Sequence, residues 1–220
     1  CLPRIHHVTC WRTKVLKGSL YETSHARKDY RGKNYVDGHT PTERRKRKRK
    51  MDIIITRVWA MPHKYTFRVA PLRAIIFRHK HGGEIWADPF AGFNSPAELT
   101  NDLNPAAPVW NHLEAQEFVA QFDDASLDGV IFDPPYSITQ VSRSYNNMGL
   151  KFKGRENPTG GFPIVRDHIS RIVRVGGHVI SYGWNTVGMG KKRGFEPIEY
   201  LICSHGGNRN DTLVVVERKL

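Results

Sequence analysis

The segment that most restricts the fold of this 220-residue chain is a short apolar run that ends in two consecutive prolines. Residues 128–132 (Asp-Gly-Val-Ile-Phe) have the composition of a strand that is buried on both faces of a parallel sheet. Asp133-Pro134-Pro135-Tyr136 follows at once. Consecutive prolines donate no backbone hydrogen bonds and hold the chain extended, so they end the strand. The segment therefore predicts a buried strand of an α/β protein whose C-terminal end carries fixed hydrogen-bond acceptors.

The rest of residues 51–220 predicts alternating helices and strands. Helices are expected from Pro71 to the Gly82-Gly83 stop, over 114–121 and over 163–174; short strands are expected over 84–87, 98–101 and 178–182, the last after a turn at Gly176-Gly177. Residues 198–204 and 212–217 are expected to form an antiparallel hairpin. This order predicts a three-layer α/β fold with a mostly parallel sheet and a C-terminal antiparallel hairpin.

Positive charge is concentrated at the N-terminus of the chain. Residues 1–50 contain 15 Lys and Arg against 4 Asp and Glu, whereas residues 51–220 contain 19 against 17. The unbroken basic block 44–50 predicts an extension with little fixed structure, which serves as a nucleic-acid arm or is a solvated tail. A third interpretation is that the native chain starts at Met51, because purine-only codons can encode all of residues 43–50, as in a translated ribosome-binding site.

Charge also divides the remaining domain into two parts. Residues 81–136 contain 10 acidic residues and no Lys or Arg, and they lack the glycine-rich G-x-G-x-x-G pattern of a phosphate-binding loop. Residues 137–194 contain 10 Lys and Arg against 2 acidic residues. The first part therefore favours a cofactor that is cationic and free of phosphate, such as a sulfonium, and the second part favours a polyanion.

Composition and cysteine content indicate a soluble protein of a reducing cytoplasm. No run of about 18 apolar residues occurs, and no signal peptide is recognisable. The three cysteines, Cys1, Cys10 and Cys203, are too few for a disulfide framework. His6 and His7 are adjacent, which does not match the ligand spacing of structural zinc sites, so no metal is predicted.

The residues after the predicted strands suggest a binding site for two ligands. Asp133 and the Pro134 carbonyl are acceptors suited to an exocyclic amine, and Tyr136 offers a flat face on which the same base could stack after leaving a helix. Asp88, followed by Ala91-Gly92, allows close backbone approach, and Asp102 is placed to accept hydrogen bonds from two ribose hydroxyls.

Together these motifs resemble the amino-methyltransferases, specifically the S-adenosylmethionine-dependent DNA adenine-N6 methyltransferases of small phage and prophage type. The resemblance covers nearly all of residues 51–220. It implies the Rossmann-like fold of class I methyltransferases and places the target base against Asp133, Pro134, Pro135 and Tyr136. The residues that it implies for the cofactor are Phe67, Asp88, Phe90, Ala91, Gly92, Asp102 and Glu114. One departure is that only 14 positions separate Asp88 from Asp102, too few for the usual long helix, so this loop is expected to be irregular.

The resemblance also implies DNA as the partner, in a bacterial or phage-infected cell, for restriction-modification. Only residues 137–175 remain for target recognition, which must therefore be compact or shared with a second subunit. The basic residues expected to contact phosphates, unless they belong to a solvated loop, are Arg143, Lys151, Lys153, Arg155 and Arg166. Cytosine-N4 and RNA-adenine methylation stay open as alternatives, as does a catalytically silent nucleic-acid-binding subunit with the same fold.

Overall fold

The computed structural model describes residues 52–150 and 162–220, so the predicted basic extension and Lys151, Lys153 and Arg155 lie outside the described residues. Within these ranges, seven strands form one sheet. The strands are β1 (Ile54–Trp59), β2 (Trp86–Asp88), β3 (Leu99–Thr100), β4 (Leu127–Phe132), β5 (Val173–Gly183), β6 (Phe195–Ser204) and β7 (Thr212–Lys219). The helices are α1 (Ala70–His79), α2 (Ala115–Ala120), α3 (Ile138–Asn147) and α4 (Pro163–Ile172).

The strand order brings the C-terminal ends of all strands but β7 to one edge of the sheet. The order is β1-β6-β7-β5-β4-β2-β3, in which β7 is antiparallel to both β5 and β6 and every other neighbouring pair is parallel. The C-terminal ends of the other strands therefore lie at the same edge, together with the first residue of β7. This is the edge at which open α/β sheets bind ligands.

Helices cover both faces of the sheet. On one face, Leu72 and Ile76 of α1 belong to a buried cluster with Ile131 of β4. On the other face, Phe118 of α2 belongs to a buried cluster with Val130 of β4, to which α4 also contributes. Consecutive residues of β4 thus alternate between two apolar cores, as its composition predicted. The predicted three-layer α/β fold, mostly parallel with a C-terminal antiparallel hairpin, is confirmed.

Two elements were not predicted from the sequence. Strand β1 pairs in parallel with β6 from Ile54 opposite Glu199 to Trp59 opposite Ser204, and so extends the sheet beyond the terminal hairpin. Helix α3 follows Ser137, whose hydroxyl accepts the backbone N–H of Gln140 at 3.2 Å and caps the helix. Both elements adjoin loops that line the candidate site described in the next subsection.

The prediction for the loop after β2 is confirmed, whereas the predicted start of β5 is wrong. The loop between β2 and β3 contains no helix, which confirms the irregular conformation expected from the short spacing. Strand β5, by contrast, begins at Val173 and continues through the predicted turn. Gly176 has φ +81°, and a Cβ on Gly177 would lie 2.6 Å from the carbonyl oxygen of Asp128. The glycines therefore let β5 continue through an irregularity close to β4 instead of starting it.

The helices of residues 52–150 and 162–220 are all too short or too polar to cross a membrane.

Candidate functional site

A cavity of about 680 Å³ opens at the C-terminal edge of the sheet. Its walls come from α3 and from loops that follow β1, β2, β3, β4, β5 and β6. The lining includes the Asp133–Tyr136 loop, here called the base end, and Phe90, Asp102 and Glu114, here called the cofactor end. Residues that the sequence assigned to a base and to a cofactor thus line one cavity.

At the base end, Asp133 is held by two hydroxyl groups. The Tyr136 hydroxyl donates to Asp133 Oδ1, and the Thr66 side chain forms a second hydrogen bond with the same carboxyl group. Burial raises the pKa of Asp133 above its ordinary value, although both hydrogen bonds oppose that shift. The pKa of Tyr136 is also raised well above its usual range, by burial and by the neighbouring Asp133. The carboxyl group is therefore fixed in direction and poorly solvated.

The Asp133–Tyr136 loop is also fixed from its far side. The backbone N–H of Tyr136 donates to Gln140 Oε1 of α3 at 2.6 Å. The ring of Trp184, in the loop after β5, meets the Tyr136 ring edge-on with centroids 5.7 Å apart. Pro134 and Pro135 line the cavity between these contacts. The base end therefore combines a directed carboxyl group with an aromatic face.

Asp88 is placed differently from the other predicted cofactor residues, because its side chain is fully buried. Its carboxyl group accepts hydrogen bonds from the Phe90 backbone N–H at 2.9 Å and from the Ser95 hydroxyl at 2.7 Å. Burial, with a smaller contribution from the charges of Asp133 and Asp102, raises the pKa of Asp88 to about 8, although both hydrogen bonds oppose the shift. Asp88 thus stabilises the loop after β2 through these two hydrogen bonds and does not line the cavity.

Asp102 lines the cavity and joins two loops. Its Oδ2 accepts the Gly92 backbone N–H at 2.9 Å, and its Oδ1 accepts the Asn104 backbone N–H at 2.8 Å. Gly92 has φ +54°, a conformation that favours glycine, and a Cβ there would point toward Asp102 Oδ2 at 4.0 Å. Each carboxylate oxygen still has a lone pair for a ligand hydroxyl.

The remaining predicted cofactor residues are divided between two neighbouring cavities. Phe67, Ala91 and Gly92 line a smaller cavity of about 170 Å³. Phe90 lines both cavities, and so does Asp133. The two cavities therefore meet at residues of both predicted sets, Phe90 of the cofactor set and Asp133 of the base set.

Glu114 directly precedes α2 and lines the large cavity. Buried Asn101 fixes this segment, because its amide donates to the carbonyl oxygens of Pro89 and Leu113 at 3.1 and 3.0 Å. The Tyr145 hydroxyl of α3 lies 2.9 and 2.7 Å from the two carboxylate oxygens of Glu114. The acid is thus oriented from two sides.

The two described members of the predicted phosphate-binding set occupy different environments. Arg143 is exposed on α3 and lines the cavity. The Arg166 guanidinium packs over the Phe132 ring at 5.2 Å and donates to the Val187 carbonyl oxygen at 3.3 Å. Burial also lowers the pKa of Arg166. Arg166 therefore packs against the end of β4, away from the cavity surface.

Several lining residues were missed by the sequence analysis. Lys64 follows β1, and Arg209 lies in the turn between β6 and β7; both are exposed and line the cavity beside the base end. Thr66 and Tyr145 were missed as well. Trp184 directly follows β5, and the sequence analysis assigned it no role. No sequence pattern pointed to Lys64, because its position depends on the pairing of β1 with β6.

No protein-family model and no curated protein matches the chain. Solved structures with a similar fold include 1,6-didemethyltoxoflavin-N1-methyltransferase of Burkholderia thailandensis, solved with 1,6-didemethyltoxoflavin and S-adenosylhomocysteine; it is 13% identical over 68% of this chain and 77% of that one, with a TM-score of 0.47. A SAM-dependent methyltransferase from Methanosarcina mazei is 10% identical over 66% and 97%, with a TM-score of 0.44. M. jannaschii TYW2, solved in complex with AdoMet, is 16% identical over 72% and 76%, with a TM-score of 0.38.

Proposed function

We propose that this chain transfers the methyl group of S-adenosylmethionine to the exocyclic N6 amine of adenine in DNA. The observation that supports the proposal is that one cavity joins the Asp133–Tyr136 loop to Asp102 and Glu114. Its volume of about 680 Å³ is within the size range of small-molecule sites and accommodates two ligands in contact. A direct transfer from a sulfonium to an amine needs both reactants in one enclosure.

The cofactor end suits S-adenosylmethionine in charge and in hydrogen-bonding groups. Residues 81–136 place carboxylates and no Lys or Arg around it, which favours a ligand with a positive sulfur and no phosphate. Asp102 and Glu114 have oxygens available for the hydroxyl and amine groups of an adenosine, and Phe90 adds an apolar wall. When bound, this cofactor supplies an electrophilic methyl group. The smaller cavity, lined by Phe67 and Gly92, is assigned to its amino-acid portion.

At the base end, the protein holds the amine and excludes other geometries. Asp133 accepts an N–H of the amine, the Pro134 carbonyl accepts the second, and the Tyr136 ring stacks on the base. The nitrogen lone pair would then face the methyl group that bound S-adenosylmethionine supplies, and the cofactor would leave as S-adenosylhomocysteine. The proton released by the methylated amine would pass to the Asp133 carboxylate and from there to water. Alignment therefore contributes most of the rate enhancement in this proposal.

The related reactions differ in how well the described residues fit them. Methylation of cytosine C5 needs a thiolate nucleophile, whereas Cys203 is buried in β6 and burial raises its thiol pKa to about 11. Cytosine N4 and RNA adenine present amines of the same kind, so they are the competing substrates in the experiment below. A silent subunit is disfavoured by the complete Asp133-Pro134-Pro135-Tyr136 motif around a formed cavity.

DNA recognition in this proposal is compact. In this proposal Arg143 on α3, together with Lys151, Lys153 and Arg155, contacts phosphates and positions the duplex without reading its sequence. The short length of segment 137–175 leaves base recognition to these residues or to a second subunit. Lys64 and Arg209 place further positive charge at the rim next to the base end.

The proposal is tested by incubating the full chain with methyl-labelled S-adenosylmethionine and duplex DNA, then identifying methylated nucleosides by mass spectrometry. We expect N6-methyldeoxyadenosine. Parallel reactions contain RNA of the same sequence. Label found only in RNA or only in N4-methylcytosine would overturn the adenine-DNA assignment, and cofactor binding without any transfer would indicate the silent subunit. The same assay is run on Asp133→Asn. Its matched control is Asp123→Asn, because Asp123 is exposed and does not line the cavity.

A further inference from the structure

Helix α3 contacts both ends of the cavity through two side chains. Near its N-terminus, Gln140 accepts the backbone N–H of Tyr136 at 2.6 Å. Near its C-terminus, the Tyr145 hydroxyl lies within hydrogen-bond distance of both Glu114 oxygens. Val141 is the one fully buried residue of this helix. The helix therefore depends on these polar contacts, more than on apolar burial, for its position over the cavity.

Tyr145 and Glu114 are 31 positions apart in the chain and belong to different walls of the cavity. A single O–H group occupies only part of the hydrogen-bonding capacity of a carboxylate, which has about four lone-pair sites. Glu114 is therefore able to accept from Tyr145 and from a ligand hydroxyl or amine at the same time. Hydrogen bonds to a charged acceptor are stronger than those between neutral groups, so the Tyr145 contact also fixes the carboxylate in direction.

We propose that Tyr145 is a positioning residue: it orients Glu114 toward the adenosine part of the cofactor and holds α3 over that end of the cavity. This inference rests on the proposed function, because it takes S-adenosylmethionine as the ligand of Glu114. It predicts that cofactor binding stabilises α3, since the ligand joins both walls that Tyr145 connects. Through Gln140, the same helix also supports the loop that holds the base.

The test compares Tyr145→Phe with Tyr200→Phe in the full chain. Tyr200 lies on β6 and does not line the cavity, so its variant is the matched loss of a phenol hydroxyl. Calorimetry with S-adenosylhomocysteine should give a Kd about five- to tenfold higher for Tyr145→Phe and an unchanged Kd for Tyr200→Phe. In turnover assays the loss should appear in KM for the cofactor and not in kcat, as expected for an effect on ligand binding alone.

A double-mutant cycle makes the assignment specific to Glu114. Tyr145→Phe should have no further effect on Kd in a Glu114→Gln background if it acts through that carboxylate. Additive effects in the cycle would overturn the inference. Amide hydrogen exchange of the wild-type chain supplies a measurement that needs no variant. S-adenosylhomocysteine should slow exchange over residues 142–147, and unchanged exchange there would also refute the inference.

Failure of this inference is distinguishable from failure of the proposed function. If the wild-type chain binds neither S-adenosylmethionine nor S-adenosylhomocysteine, the proposed function itself is wrong. If the wild-type chain binds them and Tyr145→Phe binds equally well, only the assignment of Tyr145 is wrong. A fall in thermal stability without a change in Kd identifies Tyr145 as a purely structural contact and contradicts the inference.

Discussion

Carboxyl groups at the two ends of the cavity have different hydrogen-bond partners. At the cofactor end, Asp102 accepts the backbone N–H groups of Gly92 and Asn104, and Glu114 accepts the Tyr145 hydroxyl. At the base end, Asp133 is held by the Tyr136 and Thr66 side chains and accepts none of the backbone N–H groups described. Asp102 therefore shapes the loops around it while keeping lone pairs for a ligand, whereas Asp133 is held by side chains alone.

Burial separates the carboxyl groups further. Asp88 and Asp133 both have raised pKa values because protein replaces water around them. Asp133 nevertheless lines both cavities, whereas Asp88 lies beneath the loop after β2. Desolvation at Asp133 strengthens its interaction with an amine, while desolvation at Asp88 affects the stability of the fold. Substitutions at the two ends should therefore separate transfer, cofactor binding and folding.

The largest effect is expected for Asp133→Ala. We predict that methyl transfer falls by at least about 100-fold, because a directed electrostatic contact with the reacting group is lost. The Kd for S-adenosylhomocysteine should stay within a few-fold, since Asp133 contacts the amine. Tritium transfer and calorimetry measure the two quantities. If the variant keeps more than a tenth of the wild-type rate, Asp133 does not act in the transfer. A large rise in its Kd for S-adenosylhomocysteine would show that Asp133 also serves cofactor binding.

Asp102→Ala should give the opposite pattern. Hydrogen bonds to a charged group contribute about 1.5–3 kcal/mol, so we expect the cofactor Kd to rise about 10- to 100-fold. Because Asp102 also holds the amides of Gly92 and Asn104, Asp102→Asn, which keeps the shape and one of the two acceptor oxygens, is the companion variant. Calorimetry measures the cofactor Kd of the wild-type chain and of both variants. An unchanged Kd in Asp102→Ala would show that this carboxylate only shapes its loop.

Local sequence patterns predicted one part of this site well. Strand β4 and its proline-terminated loop depend on adjacent residues, and the irregular loop between β2 and β3 follows from the number of residues available. Arg166 shows the limit of such reasoning, because charge alone suggested a phosphate contact, whereas its guanidinium packs over Phe132. Long side chains bury their stems and stack on rings where neighbours permit.

The unpredicted residues depend on pairing between distant segments. Strand β1 is defined by its parallel partner β6, which begins more than 130 residues later, and its own residues are mostly exposed. Lys64 reaches the cavity only because that pairing exists. Helix α3 has a polar composition with one fully buried residue, so its apolar content was low in a segment expected to serve target recognition. Its contribution to the cavity becomes visible only through Tyr136 and Glu114.

A third expected effect concerns folding at Asp88. The pKa of Asp88 is about 8 in the folded chain, against an ordinary aspartate value of 3.8 in the unfolded chain. Between these values the folded chain keeps a proton that the unfolded chain releases. The resulting stability is therefore fully present below about pH 4 and is lost as pH rises through about 8, by about 1.4 kcal/mol per pH unit.

Asp88→Asn should remove this dependence. We expect the free energy of unfolding of the wild-type chain to decrease more steeply between pH 6 and 8 than that of the variant, as measured by urea denaturation. Asp123→Asn, at an exposed carboxyl group, should follow the wild-type slope. Equal slopes for the Asp88→Asn and wild-type chains would mean that Asp88 is ionised throughout and that its two hydrogen bonds outweigh its burial.

The smallest expected effect is at Trp184, which tests whether the base end needs its second aromatic ring. Edge-to-face pairs of rings contribute about 0.5–1.5 kcal/mol, and Trp184 meets Tyr136 in this way. Trp184→Ala should therefore raise KM for DNA by about two- to tenfold through a less fixed Tyr136 ring, with cofactor Kd unchanged. Trp184→Phe should recover most of the loss. Trp110→Ala is the control, because Trp110 is 82% exposed and does not line the cavity. A rise in cofactor Kd in Trp184→Ala would show that the two ends of the cavity are coupled through this loop, and equal KM values for both tryptophan variants would leave Tyr136 as the sole stacking surface.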